Sequence, residues 1–147
     1  MADDTPPTAP DFDLETFLPY LLTQAAEATA KSFQAVYQAA YGMTRTQWRV
    51  LANLGKFGAM TASDICTISH VEKTKVSRAV AALEAQGLLQ RAPSPADRRA
   101  EILSLTEAGR RAFADLGQRA MAHDAALRRD LGSDLAGPLD AVLRRLI

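Results

Sequence analysis

The sequence predicts a mainly α-helical fold carrying one small β-hairpin, an α+β arrangement in the order helices, hairpin, helices. Three observations predict it. Apolar residues recur at three- and four-residue steps over most of the 147 residues, and glycines at 42, 58, 87 and 132 close the successive runs. Two short segments, residues 88–92 and Glu101–Leu105, flank the polar loop Pro93-Ser94-Pro95-Ala96-Asp97-Arg98-Arg99 and read as strands. With 48% hydrophobic residues the chain has enough apolar matter for one compact domain.

Residues 1–18 read as a flexible acidic arm. They hold Pro6, Pro7 and Pro10, with Asp3, Asp4, Asp11, Asp13 and Glu15 and no Lys or Arg. Phe12, Leu14, Phe17 and Leu18 add an apolar segment able to form a short helical turn. Pro19 suits the first turn of a helix, where its missing N–H costs nothing. From there Leu21, Leu22, Ala25, Thr29, Phe33, Val36 and Tyr37 mark one face as far as Tyr41. That helix spans roughly 35 Å, more apolar face than one small core covers, so a partner chain is expected.

A second helix follows Thr44, its predicted N-cap, with Trp48, Leu51, Leu54 and Phe57 on one face. Thr61-Ala62-Ser63-Asp64 opens a short third helix carrying Ile65 and Ile68. A fourth runs over residues 72–86. After the hairpin, Thr106-Glu107 caps a fifth helix bearing Phe113, Leu116, Ala120, Leu127 and Leu131, and Leu139, Val142, Leu143 and Leu146 mark a short last one.

Seventeen basic residues balance seventeen acidic ones, which with the apolar content excludes a disordered polyelectrolyte. No apolar run approaches the ~20 residues needed to span a bilayer. Met1-Ala2-Asp3-Asp4 has neither the charge nor the apolar stretch of a secretory signal. Cys66 is the sole cysteine, which excludes an internal disulfide and fits a reducing cytoplasm. The neutral total conceals a segregation: between His70 and Arg99 stand Lys73, Lys75, Arg78, Arg91, Arg98 and Arg99 against Glu72, Glu84 and Asp97. Such a cluster predicts a local basic surface for nucleic acid, whereas net charge alone argues against one.

The fourth helix gives that surface a shape. At ~100° per residue, Val76, Ala79, Val80, Leu83 and Gly87 fall on one side. Thr74, Ser77, Arg78, Ala81 and Ala85 fall opposite, with Lys73 and Lys75 on the flanks. A B-DNA major groove is ~12 Å wide and admits one helix, and hydroxyls, an arginine and small alanines allow close approach. Arginine on a loop such as 93–99 suits the narrow, electronegative minor groove, and Asp97 lies close enough to hold one guanidinium.

At these residues the chain resembles a known family. Val71-Glu72-Lys73-Thr74-Lys75-Val76-Ser77-Arg78 leading to Leu83-Glu84-Ala85-Gln86-Gly87-Leu88 resembles the recognition helix of the multiple-antibiotic-resistance (MarR) regulators and its exit. Asp97-Arg98-Arg99 with Leu103-Ser104-Leu105-Thr106-Glu107-Ala108-Gly109 resembles their wing and fifth helix, and Gly42-Met43-Thr44-Arg45-Thr46-Gln47-Trp48 the start of their second. The resemblance covers roughly residues 19–147. It implies a winged helix-turn-helix over residues 43–105, with dimerisation helices over 19–42 and 106–147, in a homodimer whose first, fifth and sixth helices interlock. It implies that Lys73, Thr74, Lys75, Ser77 and Arg78 meet the major groove of double-stranded DNA, that Arg98 or Arg99 meets the minor groove, and that Asp97 holds the wing by pairing with Arg99. The implied function is a repressor on a palindromic operator, released by a small aromatic or phenolic ligand. By position only, Tyr37, Tyr41, Arg45, Trp48 and Arg49 are candidates for contacting it. Lys75 departs from the family's usual small hydroxyl residue, and Gly137-Pro138 is expected to interrupt a last helix that is usually continuous.

Other residues invite weaker readings. Cys66 suits inert packing better than a redox switch, because the sensing cysteine of peroxide-responsive relatives lies near the start of the chain. Trp48 suits a core anchor better than a stacking platform. His70 and His123 are far apart and no Cys/His/Asp set has ligand spacing, so neither metal nor cofactor is expected. No phosphate loop or catalytic signature suggests an enzyme. A winged helix used for protein–protein contact is the other alternative, and it would not require Arg78 or the Arg98-Arg99 pair.

Overall fold

The structure, a computed structural model, describes residues 11–147. Most of the expected acidic arm, residues 1–10, lies outside the described residues. The chain divides between Ser32 and Phe33 into two compact units. In the first, Asp13 caps a 3₁₀ turn, Leu14–Thr16, its Oδ1 accepting from the Glu15 N–H at 2.9 Å. The rings of Phe12 and Phe17 meet edge to face at 5.4 Å. Helix α1, Leu18–Tyr41, begins here with Pro19 in its first turn, and Leu18 and Leu21 are exposed.

The second unit holds the end of α1 and then α2 (Arg45–Phe57), α3 (Ala62–Ser69), α4 (Lys73–Ala85), β1 (Leu89–Pro93), β2 (Glu101–Leu105), α5 (Glu107–Leu131) and α6 (Ser133–Leu146). Local chemistry sets the starts. Thr44 and Gln47 exchange side-chain and backbone hydrogen bonds at 3.2 and 3.3 Å, a reciprocal box that opens α2. Thr61 and Asp64 do the same for α3 at 3.1 and 2.9 Å. The strands pair antiparallel from Leu89 opposite Leu105 to Pro93 opposite Glu101. Met60 adds a bridge to Leu103, with hydrogen bonds of 3.1 and 2.8 Å, so the segment before α3 also grips the hairpin's base.

The core of this unit is built from Phe33 and Tyr37 of α1, Val50, Leu51 and Leu54 of α2, Ile65 of α3, Val76, Ala79, Val80 and Leu83 of α4, Leu89, Leu103 and Leu105 of the hairpin, and Leu116 of α5. It departs from the periodic reading at element ends. Phe57 is 60% and Ile68 46% exposed at the ends of α2 and α3, while Met43 and Met60, between helices, are buried, as is Val50 within α2. Gly87, placed by helical angle on the buried side, is exposed and lies outside α4 with φ 71°, where a side chain would be strained.

The joint between α4, β1 and α5 is close. The Thr106 hydroxyl donates to the Gly87 carbonyl at 2.6 Å and accepts from the Gly109 N–H at 3.0 Å, while the Thr106 N–H donates to the Leu88 carbonyl at 3.1 Å. Gly109 abuts that Leu88 carbonyl so tightly that a Cβ would overlap it.

The expected interruption at Gly137-Pro138 does not occur, because α6 is continuous from Ser133 to Leu146 with Pro138 inside it. Proline removes the single N–H that would bond to the Asp134 carbonyl. Beyond it, the Arg128 guanidinium of α5 grips the Asp140 carboxylate with two bonds, 2.9 and 3.1 Å, holding the rest of the helix in register.

Candidate nucleic-acid interface

Helix α4 buries Val76, Ala79, Val80 and Leu83 and exposes Lys73, Thr74, Lys75, Ser77, Arg78, Ala81 and Ala85. Its core face therefore fixes which side chains look outward. No side chain caps its first turn, since Glu72 makes no such bond, so the first N–H groups remain available to solvent or an anion. Lys75 and Arg78 border a hollow of about 270 Å³ shared with Thr44, Thr46 and Gln47 at the start of α2. Among the described residues Lys73, Lys75 and Arg78 form no ion pair.

The hairpin tip presents Arg98 and Arg99, both exposed and likewise outside any ion pair among the described residues. Asp97 shapes this loop, but through the backbone. Its Oδ1 accepts from the Arg99 N–H at 2.9 Å, and its carbonyl accepts from the Ala100 N–H at 3.1 Å. The expected pairing of Asp97 with the Arg99 guanidinium is thus replaced by a turn in which the carboxylate holds the Arg99 main chain and the guanidinium forms no ion pair among the described residues. The Ser94 N–H closes the loop on the Ala100 carbonyl at 3.1 Å.

Arg91, counted with the basic cluster in the sequence, belongs to a different arrangement. Its guanidinium donates to Glu84 of α4 at 3.0 Å and to Glu101 of β2 at 3.1 Å. Hydrogen bonding to Glu101, ahead of the pull of Glu84, raises its already high pKa. Sequence reasoning missed this brace because its carboxylates lie seven and ten residues away, on other elements.

The candidate ligand residues fall in an aromatic cluster. Tyr37 is 1% exposed, stacked on Trp48 at 6.0 Å and 19°, and edge-on to Phe33 at 5.6 Å. Phe33 also meets Trp48 at 5.5 Å and His123 at 5.3 Å. Burial pushes the Tyr37 phenol up, partly offset by a hydrogen bond and charge from Arg45. Tyr37 is thus core, with its ring already engaged, and Trp48 is half-buried beside it. Tyr41 is set apart: its hydroxyl donates to Asp115 of α5 at 2.8 Å, and Asp115 also accepts from Arg119 at 3.1 Å. Arg49 is exposed at the cluster's edge.

Cys66 is partly buried and packs against the core, and His70 ends α3 in a left-handed conformation. Among the described residues no three His, Cys, Asp or Glu side chains converge as metal ligands, and no helix is long and apolar enough to cross a membrane.

A short helix, a tight turn, a second helix with an exposed polar face and a hairpin with arginines at its tip define a winged helix-turn-helix. A profile of the MarR family matches residues 41–100, nearly all of this lobe. The MarR family transcriptional regulator SPO1453 of Silicibacter pomeroyi DSS-3 is 31% identical, over 93% of this chain and 100% of its own, with a TM-score of 0.76. The HTH-type transcriptional regulator FarR of Neisseria gonorrhoeae is 26% identical over 113 residues, 77% of each protein. Bordetella bronchiseptica BpsR, whose DNA binding is regulated by 6-hydroxynicotinic acid, shares the fold with a TM-score of 0.79 at 23% identity, over 92% of this chain and 96% of its own. The chain belongs to the MarR family. It is a DNA-binding transcription regulator and not an enzyme.

Proposed function

We propose that this protein is a homodimeric repressor that sits on a palindromic operator and leaves it when a small aromatic ligand binds, acting in the reducing cytoplasm. One observation carries the reading: five cations, Lys73, Lys75, Arg78, Arg98 and Arg99, lie outside any ion pair among the described residues, on two elements that share one core. Lys73, Thr74, Lys75, Ser77 and Arg78 address the major groove, where Arg78 can pair bidentately with guanine. Arg98 or Arg99 addresses the adjacent minor groove. Dimerisation is supported by α6, where Leu135, Leu139, Val142, Leu143 and Leu146 form an exposed apolar stripe at helical spacing that a second copy would cover. Two lobes so joined reach half-sites about one helical turn apart.

Release by a ligand is supported by the regulation of BpsR, a neighbour in fold, by a hydroxylated aromatic acid. In this chain Arg45, Arg49 and the half-buried Trp48 are the first groups for such a molecule, with the buried Tyr37 stacked on Trp48 and Tyr41 contributing only by giving up its bond to Asp115. A ligand that prefers a lobe spacing unsuited to the operator shifts the population off DNA.

In vitro selection from a random duplex library, followed by anisotropy across a salt series, tests the reading. The expected result is an enriched inverted repeat bound with an affinity that falls steeply with salt, because phosphate contacts release counterions. A monomer that enriches no duplex at low ionic strength overturns it.

A further inference from the structure

We propose that Arg91 is a positioning residue that fixes the hairpin against α4, so that the wing tip and the polar face of α4 engage one duplex together. The proposal rests on the DNA-reading function above. Arg91 stands in the middle of β1, opposite Leu103 in the ladder. Its Nε donates to Glu84 Oε2 on the penultimate residue of α4, and its Nη1 donates to Glu101 Oε2 at the start of β2. One planar guanidinium therefore ties the helix that offers Lys73, Lys75 and Arg78 to both strands that carry Arg98 and Arg99. Its rigid fork suits this in a way a lysine would not. The same contact neutralises two carboxylates on a surface meant for phosphates. Arg91 thus contributes geometry and removes repulsion, while its own charge is matched within the protein.

The brace and a direct phosphate contact predict opposite signs for one variant. Glu84→Gln with Glu101→Gln keeps the Arg91 cation, replaces its two charge-assisted bonds by weaker neutral ones and removes two negative charges. If Arg91 merely contacts phosphate, this variant binds every duplex more tightly and with a steeper salt dependence. If Arg91 is a brace, affinity for the duplex enriched by the wild-type protein falls roughly tenfold, because the two reading elements lose their fixed relation. Binding to an unrelated duplex rises at the same time. Hydroxyl-radical protection of the minor groove weakens while methylation protection in the major groove persists, a split that loss of overall stability does not produce. Arg91→Met shows the same split, with far-UV circular dichroism and melting reporting an intact fold. Tighter binding of the double glutamine variant to the enriched duplex, with minor-groove protection intact, overturns the brace and leaves the DNA-reading function standing. A wild-type protein that enriches no duplex overturns both.

Discussion

In the winged lobe the apolar side chains are inside and the cations outside: Leu51, Ile65, Val76, Val80 and Leu83 are at most 1% exposed, while Lys73, Lys75, Arg78, Arg98 and Arg99 have no acidic partner among the described residues. Along the far half of α5 and α6 the balance differs. There Arg119 is paired with Asp115 and Arg128 with both Asp124 and Asp140, while Met121, Leu135, Leu139, Val142, Leu143 and Leu146 are exposed. The same residue types thus leave opposite wants unmet. The lobe buries most of its apolar residues and leaves these five cations without counter-charge, as expected of a surface for a polyanion. The C-terminal helices pair Arg119 and Arg128 within themselves and leave the apolar stripe of α6 without cover, as expected of a surface for another apolar helix.

Variants aimed at each half break or sharpen this contrast. The largest effect is expected from Leu139→Glu with Leu143→Glu. Burying two unpaired carboxylates at an interface should weaken self-association by at least about 100-fold, read by sedimentation, with helicity unchanged. Persistence of the dimer would place the partner on another face. Next, Arg98→Ala with Arg99→Ala should leave the oligomer intact and reduce the salt slope of binding by roughly 1.8, about thirtyfold in affinity near 0.15 M salt, if both arginines contact the duplex. Arg78→Ala should cost about 1–3 kcal/mol on the preferred sequence and relax specificity at one base pair. An unchanged affinity would remove Arg78 from the reading set. Gly109→Ala probes the joint between the halves: its methyl group meets the Leu88 carbonyl, so a thermal melt should show a loss of about 1–3 kcal/mol.

The smallest effect concerns pH. Arg128 holds the Asp140 carboxyl below its ordinary value of 3.8. A depressed folded pKa gives stability that is present above the unfolded value and is lost as pH falls through the folded one. The contribution of this exposed pair should therefore vanish only below about pH 4. Asp140→Asn should flatten that acid limb slightly and leave stability near neutrality almost unchanged.

Elements with a long, one-sided apolar period were legible in the sequence. The split of α4 into Val76, Ala79, Val80 and Leu83 against Thr74, Ser77 and Arg78 follows from helical angle alone, and it fixes the candidate reading face. Thr44 and Thr61 announced their helices because a hydroxyl before an apolar run has one favoured use. Met43 and Met60 were illegible as core because they lie between helices, where no period applies. Phe57 and Ile68 continued a period beyond the surface that it serves. Arg91 and Arg98 look alike on paper, and only the folded chain brings Glu84 and Glu101 to the first and not to the second. Pro138 signalled a break that a single lost hydrogen bond does not produce. Asp97 lies near enough in sequence to act on either the side chain or the main chain of Arg99, and geometry settled on the latter.

The contact of Gly109 with the Leu88 carbonyl has a mechanical consequence. With 25 residues at ~1.5 Å each, α5 is a rod roughly 37 Å long whose near end is seated against the exit of α4. Gly109 leaves no gap at that seat, so a shift of the near end of α5 presses on Leu88, three residues beyond the end of α4. A sideways shift of roughly 2 Å at the rod's distal tip, pivoting at that seat, tilts α5 by about 3°. Under the proposed dimer, small rearrangements between two such rods would reach the exit of α4 through this contact.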